Sequence, residues 1–217
     1  MNNAPDPWSG ARAVGAHQMA PLSFDPARLR GLSEGLIVSH HQNNYGGTVR
    51  NLNKVEAEIA ALPADAPGYR VAGLRGKELA FANSKRLHEA YFGNLGGDGQ
   101  PAGAVAKALD TGYGGRATWE SALRAAASGL AGGSGWVMVV LTLPESALRI
   151  VSSGDHTQAA AAAVPLLVLD MYEHSYHLDY GAGAMRYVDA FFQNVEWETI
   201  DRRFAHAQAA AVALRGA

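Results

Sequence analysis

The sequence predicts an α+β fold: a long antiparallel α-hairpin, then a domain in which helices flank a three-stranded antiparallel sheet. Two stretches before residue 96 place apolar residues at the spacing of amphipathic helices. Residues 96–101 break the composition with glycine, and after Gly132-Gly133-Ser134-Gly135 the pattern turns to β-branched apolar runs. The 217 residues allow one domain or two small ones. The expected division is a flexible extension over 1–20, a helical hairpin domain over 21–97 and an α+β domain over 98–217.

Residues 33–62 read as the first helix, with Leu52, Val55, Ile59 and Leu62 in one stripe, Ser33 as its N-cap and Pro63 as its stop. Gly46-Gly47 interrupts this run. Two glycines cost about 2 kcal/mol relative to alanine in a helix interior, so a kink or a close backbone approach is expected there. Residues 63–73 read as a loop, and the second helix is expected over 77–95, with Phe81, Ser84, His88, Tyr91 and Phe92 on one face. After the linker at 96–101, residues 118–130 read as helical, with Trp119, Leu123 and Leu130 inward. Residues 136–143 and 147–153, divided by Pro144-Glu145-Ser146, form the expected hairpin, and 165–169 the third strand. Residues 186–204 close the chain as a helix on Val188, Phe191, Val195 and Thr199.

Composition excludes several classes of function. No run approaches the roughly 20 apolar residues of a membrane span. Net charge is −2 and no Lys/Arg run exceeds two residues, which argues against nucleic acid and anionic membranes. With no cysteine there is no disulfide, thiolate metal site or cysteine nucleophile, so any metal takes nitrogen and oxygen ligands. No secretory signal is visible in residues 1–20, and the cytoplasm is the expected compartment.

The chemistry lies in histidines. Asp170 and His174, four apart where the chain leaves the third strand, can point at one spot. His40 and His88 each sit on the inward side of one hairpin helix. Taken singly, each also reads as a satisfied, partly buried histidine. Together, three imidazoles and one carboxylate suit a first-row metal, with a position left for solvent.

The stretches around these residues are SEGLIVSH ending at His40, VRNLN at 49–53, the AN-x-x-x-LH-x-x-YF run through His88, GGSGW ending at Trp136, LDMYEHSYHLDY over 169–180 and NVEWE at 194–198. In these the chain resembles the iron/manganese superoxide dismutases over most of its length, from about residue 21 to 204. The family's Asp-x-Trp-Glu-His-Ala-Tyr fingerprint appears here as Asp-Met-Tyr-Glu-His-Ser-Tyr, from Asp170 to Tyr176. The resemblance implies His40, His88, Asp170 and His174 as ligands of one iron or manganese ion per chain, with the lean toward iron. It implies disproportionation of superoxide to dioxygen and hydrogen peroxide. It also implies a homodimer, or a tetramer built from dimers, in which Glu173 reaches a ligand histidine of the neighbouring chain and Tyr176 lies at the contact.

Around the ligands the chain departs from the family pattern. The family's active-site glutamine aligns with Ser84 or with His156, which makes His156 the candidate donor to solvent at the metal. A tyrosine, a histidine and a lysine at the substrate entrance align with Thr48, Asn44 and Asn43; two tryptophans align with Phe92 and Tyr172; an arginine aligns with Ala184. Loss of positive charge there lowers steering of an anion by roughly ten-fold or more at low salt. Tyr45 and Tyr172 join His156 as the candidate catalytic side chains, and His41, His177 and Arg186 are candidate replacements for the missing charge. Two functions stay open on the sequence: a dismutase with rebuilt surroundings, or a metal-binding homologue with weak or no dismutase activity and another redox or non-catalytic role.

Overall fold

The computed structural model describes residues 15–216. Ser33 caps α1 (Glu34–Ser39), its Oγ accepting the Leu36 N–H at 3.1 Å. The chain then passes through a π-helical segment (His40–Tyr45) into α2 (Gly46–Ala60). The single helix expected over 33–62 is therefore three pieces, and the irregularity falls just ahead of Gly46-Gly47. A π-turn spaces its hydrogen bonds five residues apart, and here both of its end residues, His40 and Tyr45, are buried. Gly46 makes the expected close approach: a Cβ there would lie 2.9 Å from Met19 Sδ.

That contact belongs to an N-terminal segment expected from the sequence to be part of a flexible extension. Residues 1–14 lie outside the described residues, but 15–20 are tied to the hairpin. Asn53 accepts from the His17 N–H at 2.9 Å and donates to the His17 carbonyl at 3.0 Å, and the Tyr45 hydroxyl accepts the Ala20 N–H at 2.8 Å. The expected looseness does not hold for 15–20, because polar side chains of α2 and the π-turn satisfy their backbone.

α3 (Gly68–Phe92) starts before the expected residue 77. Gly73 and Gly76 face open space there, so they cost helix propensity without breaking the helix. α4 (Gly103–Tyr113) was not anticipated, since its alanine- and glycine-rich sequence shows little stripe; it buries Val105, Ala106 and Leu109. α5 (Arg116–Ser128) follows, burying Trp119 and Leu123 as expected. The 96–101 segment is packed rather than a free linker. Gly97 and Gly99 donate to the Asn194 and Val195 carbonyls at 3.0 and 3.1 Å.

The sheet has the order β2-β1-β3, all antiparallel, from β1 (Trp136–Thr142), β2 (Leu148–Ser153) and β3 (Ala163–Asp170). Pro165 sits on the edge strand β3 opposite Val140, where the register shifts, as expected of a residue with no N–H to give the ladder. β3 ends at Asp170 and leads through a 3-10 turn (Glu173–Ser175) and the short α6 (His177–Tyr180) to α7 (Ala184–Gln193) and α8 (Trp197–Arg215). The one helix expected over 186–204 is two, broken at buried Asn194. Its side chain accepts the Arg30 N–H at 2.8 Å and donates to the Arg30 carbonyl at 2.7 Å, pinning the segment before α1 to the break. Among the described residues no helix is long and apolar enough to cross a membrane.

Candidate metal centre

Four elements deliver one side chain each to a single point. His40 opens the π-turn, His88 lies near the end of α3, Asp170 is the last residue of β3 and His174 sits in the 3-10 turn. Asp170 Oδ2 is 3.2 Å from His40 Nε2, 3.3 Å from His174 Nε2 and 3.7 Å from His88 Nε2. One ligand atom from each of the four residues lies within 4.8 Å of the others. His40, His88 and Asp170 are buried, while the His174 side chain is 26% exposed, so the cluster opens toward solvent on one side.

The donor set fits a metal. His40 Nε2 and His88 Nε2 are buried with no hydrogen-bond partner, a costly state unless a cation takes up their lone pairs. Burial pushes both imidazoles below their ordinary pKa, His88 to about 3, which keeps them neutral and able to coordinate. Burial alone would raise the Asp170 carboxyl, but the facing His174 and His40 outweigh it and hold Asp170 well below the usual carboxylate range. Two neutral buried imidazoles, the His174 ring and one carboxylate result, an N/O set suited to a first-row metal.

Hydrogen bonds orient these ligands. His88 Nδ1 donates to the Ser84 carbonyl at 2.7 Å, one helical turn back, leaving Nε2 for the metal. Asp170 Oδ1 accepts the Tyr172 N–H at 2.9 Å. The Asp170 carbonyl accepts from Ser175 Oγ at 2.9 Å and from the Tyr187 hydroxyl at 2.8 Å. Aromatic rings form the wall, with Phe92 and Tyr91 centred 4.9 and 5.2 Å from His40 and Trp136 5.1 Å from His88.

The other expected residues divide. His156 is brought to the site: Trp136 Nε1 donates to its Nδ1 at 3.0 Å, and its ring stacks on Tyr172 at 4.8 Å. Tyr172 also stacks on His174 at 5.3 Å, and burial pushes its phenol up to about 12. Tyr45 is not available at an entrance. It is 1% exposed, and its hydroxyl is committed to Glu89 at 2.8 Å and to the Ala20 N–H, with burial pushing its pKa up to about 12. Glu173 is exposed beside His174. Tyr176, expected at a contact between chains, is instead a core residue: it is 1% exposed and its ring stacks on Tyr187 at 5.4 Å. Ala184 is buried, Asn43 donates to Ser39 Oγ, and His41 Nε2 is 2.9 Å from the Ala20 carbonyl. Arg186 lies over the Tyr180 ring, 5.6 Å from its centre, and His177 is exposed. Tyr187 and the Trp136 indole were missed as site residues. Tyr187 lies 17 residues beyond Asp170 on a separate helix, and only its place on the apolar face of α7 could have hinted at it.

Comparison with known proteins agrees with this geometry. Residues 101–203 match the family model described as iron/manganese superoxide dismutases, C-terminal domain. The chain is 45% identical to an iron superoxide dismutase of Cupriavidus metallidurans, over 88% of this chain and 98% of that protein. It is 31% identical to manganese superoxide dismutase 1 of Halobacterium salinarum over 88% of this chain and 96% of that one. With the iron superoxide dismutase of Aquifex pyrophilus it shares 30% identity over 93% of this chain and 98% of the relative. With similarity that spans both halves, and a His/Asp cluster assembled from both, the chain belongs to the iron/manganese superoxide dismutase family.

Proposed function

We propose that the chain disproportionates superoxide: one superoxide is oxidised to dioxygen, and a second takes up an electron and two protons to become hydrogen peroxide. The observation that carries this is the convergence of His40, His88, Asp170 and His174, with the buried Nε2 atoms of His40 and His88 orphaned. His40, His88, Asp170 and His174 would hold one iron or manganese ion, which would supply the one-electron redox chemistry for both halves of the reaction. The single carboxylate lowers the charge of the site and favours the higher oxidation state.

The remaining steps fall to the protein. His156 accepts from Trp136 at Nδ1, so its neutral ring carries the proton on Nε2 and donates through that atom. Burial lowers its pKa and favours this neutral form. Tyr172, stacked between His156 and His174 with its phenol protonated, holds the two rings apart and limits water beside them. Tyr45 acts by position, packing its ring against His88 at 6.0 Å while its hydroxyl anchors the N-terminal segment.

The finer reading takes iron as the metal, supported by the 45% identity to an iron enzyme. It takes a homodimer, or a tetramer of such dimers, with the exposed Glu173 bridging to His174 of the neighbouring chain, and the cytoplasm as compartment. The test is metal content and superoxide removal on one preparation, stripped of metal and reloaded separately with iron and with manganese. Stoichiometric metal with fast removal in the iron form is expected; stoichiometric metal with no removal beyond that of the free ion in either form refutes the proposal.

A further inference from the structure

Thr48 and Ser84 count as losses when the sequence is compared with the family pattern, yet the structure joins them. Thr48 Oγ1, from α2, lies 3.0 Å from Ser84 Oγ, from α3, and Ser84 Oγ lies 3.3 Å from His88 Nδ1. All three side chains are buried, with Thr48 9% exposed and Ser84 and His88 each 1%. His88 Nδ1–H already donates to the Ser84 carbonyl at 2.7 Å, so Ser84 Oγ is the second acceptor of a shared proton. Ser84 Oγ can accept there, and in the Thr48–Ser84 pair either hydroxyl can donate to the other.

We infer that Thr48 and Ser84 are positioning residues for the metal ligand His88: the hydroxyl pair, spanning both hairpin helices, holds its Nδ1–H and strengthens Nε2 as a donor. An acceptor on the far nitrogen of a ligating imidazole raises its basicity, and removing such a partner typically weakens metal affinity about 10- to 100-fold. Because the carbonyl bond remains when the hydroxyl goes, the effect here belongs at the low end. The inference rests on the metal reading above but not on the reaction, so a parent protein that binds Mn²⁺ without removing superoxide sinks the reaction alone.

The experiment uses the full chain, stripped of metal, as Thr48→Val, Ser84→Ala, the double variant and the conservative Thr48→Ser. Mn²⁺ affinity is measured by competition, and the midpoint potential on the iron-loaded proteins, with thermal unfolding as a check of folding. Expected are a loss of Mn²⁺ affinity of about ten-fold in Thr48→Val and in Ser84→Ala, and a more positive iron potential. The double variant should lose no more than Ser84→Ala, because Thr48 acts through Ser84. Thr48→Ser should retain parental values. Parental affinity and potential in folded Thr48→Val and Ser84→Ala would overturn the inference, and should Ser84→Ala fail to fold, Thr48→Val against Thr48→Ser decides it.

Discussion

At the scale of single residues, burial turns ordinary histidines into a ligand set. His174 is the one ligand histidine open to solvent, and it comes from a turn rather than from a long element. His174→Ala should therefore leave the fold in place while metal content falls to a small fraction of the parent's, read by elemental analysis after dialysis. The buried imidazoles also set a pH dependence in the metal-free protein. His88 binds its proton near pH 6.5 when unfolded but only near about 3 when folded, so between those values the unfolded state holds more protons. Stability should thus fall as pH drops through that window. Asp170 adds to the loss further down, since its lowered folded pKa contributes stability only above its unfolded value. Thermal unfolding of stripped protein from about pH 7 to about pH 4 should show the decline, and in His88→Gln the slope should be shallower. An equal slope would assign the decline to other groups.

At the scale of elements, the π-turn, the 15–20 segment and the 96–101 segment are held by specific bonds. Tyr45→Phe removes the acceptor for the Ala20 N–H and the donor to Glu89. A loss of about 1–3 kcal/mol is expected, measured by denaturant unfolding, with faster amide exchange at Ala20. Gly99 holds φ +76°, and a Cβ there would overlap the Phe192 carbonyl oxygen. Gly99→Ala should cost more than about 1 kcal/mol, because alanine meets both a left-handed backbone and a backbone atom that cannot swing away. A near-neutral result would mean that the α7–α8 junction yields more readily than its hydrogen bonds to 97–99 indicate.

For the whole molecule, the dimer proposed above rests on Glu173, next to the candidate ligand His174 in sequence. Glu173 is exposed, and the His174 side chain is 26% exposed. Glu173→Ala is expected to shift sedimentation at low concentration toward monomer and to reduce metal retention with it, since the ligand histidine loses a partner for its outer nitrogen. A dimer of unchanged strength would remove Glu173 from the bridging role. Buried Tyr176 has no part in such a contact unless the core around Tyr187 opens.

The α+β class, the β-hairpin and the third strand were legible in the sequence because each rests on a local pattern, and the four candidate ligands because the short motifs around them resemble the family's. Alternating β-branched runs bounded by glycine and proline, and a His or Asp at the end of an apolar stretch, do not depend on distant residues. The π-turn at 40–45, the break at Asn194, the anchoring of 15–20 and the early start of α3 were decided by tertiary structure. Their causes are side chains far away in the chain: Asn194 bonding Arg30, Asn53 bonding His17, Tyr45 bonding Ala20. The same holds at the site, where the motifs named the candidate ligands but the fold alone determined what each touches. It placed Trp136 on His156 and Thr48 on Ser84, and took Tyr45 and Tyr176 into the interior. Local pattern fixes which face of an element is apolar; only packing decides which polar groups meet once that face is buried.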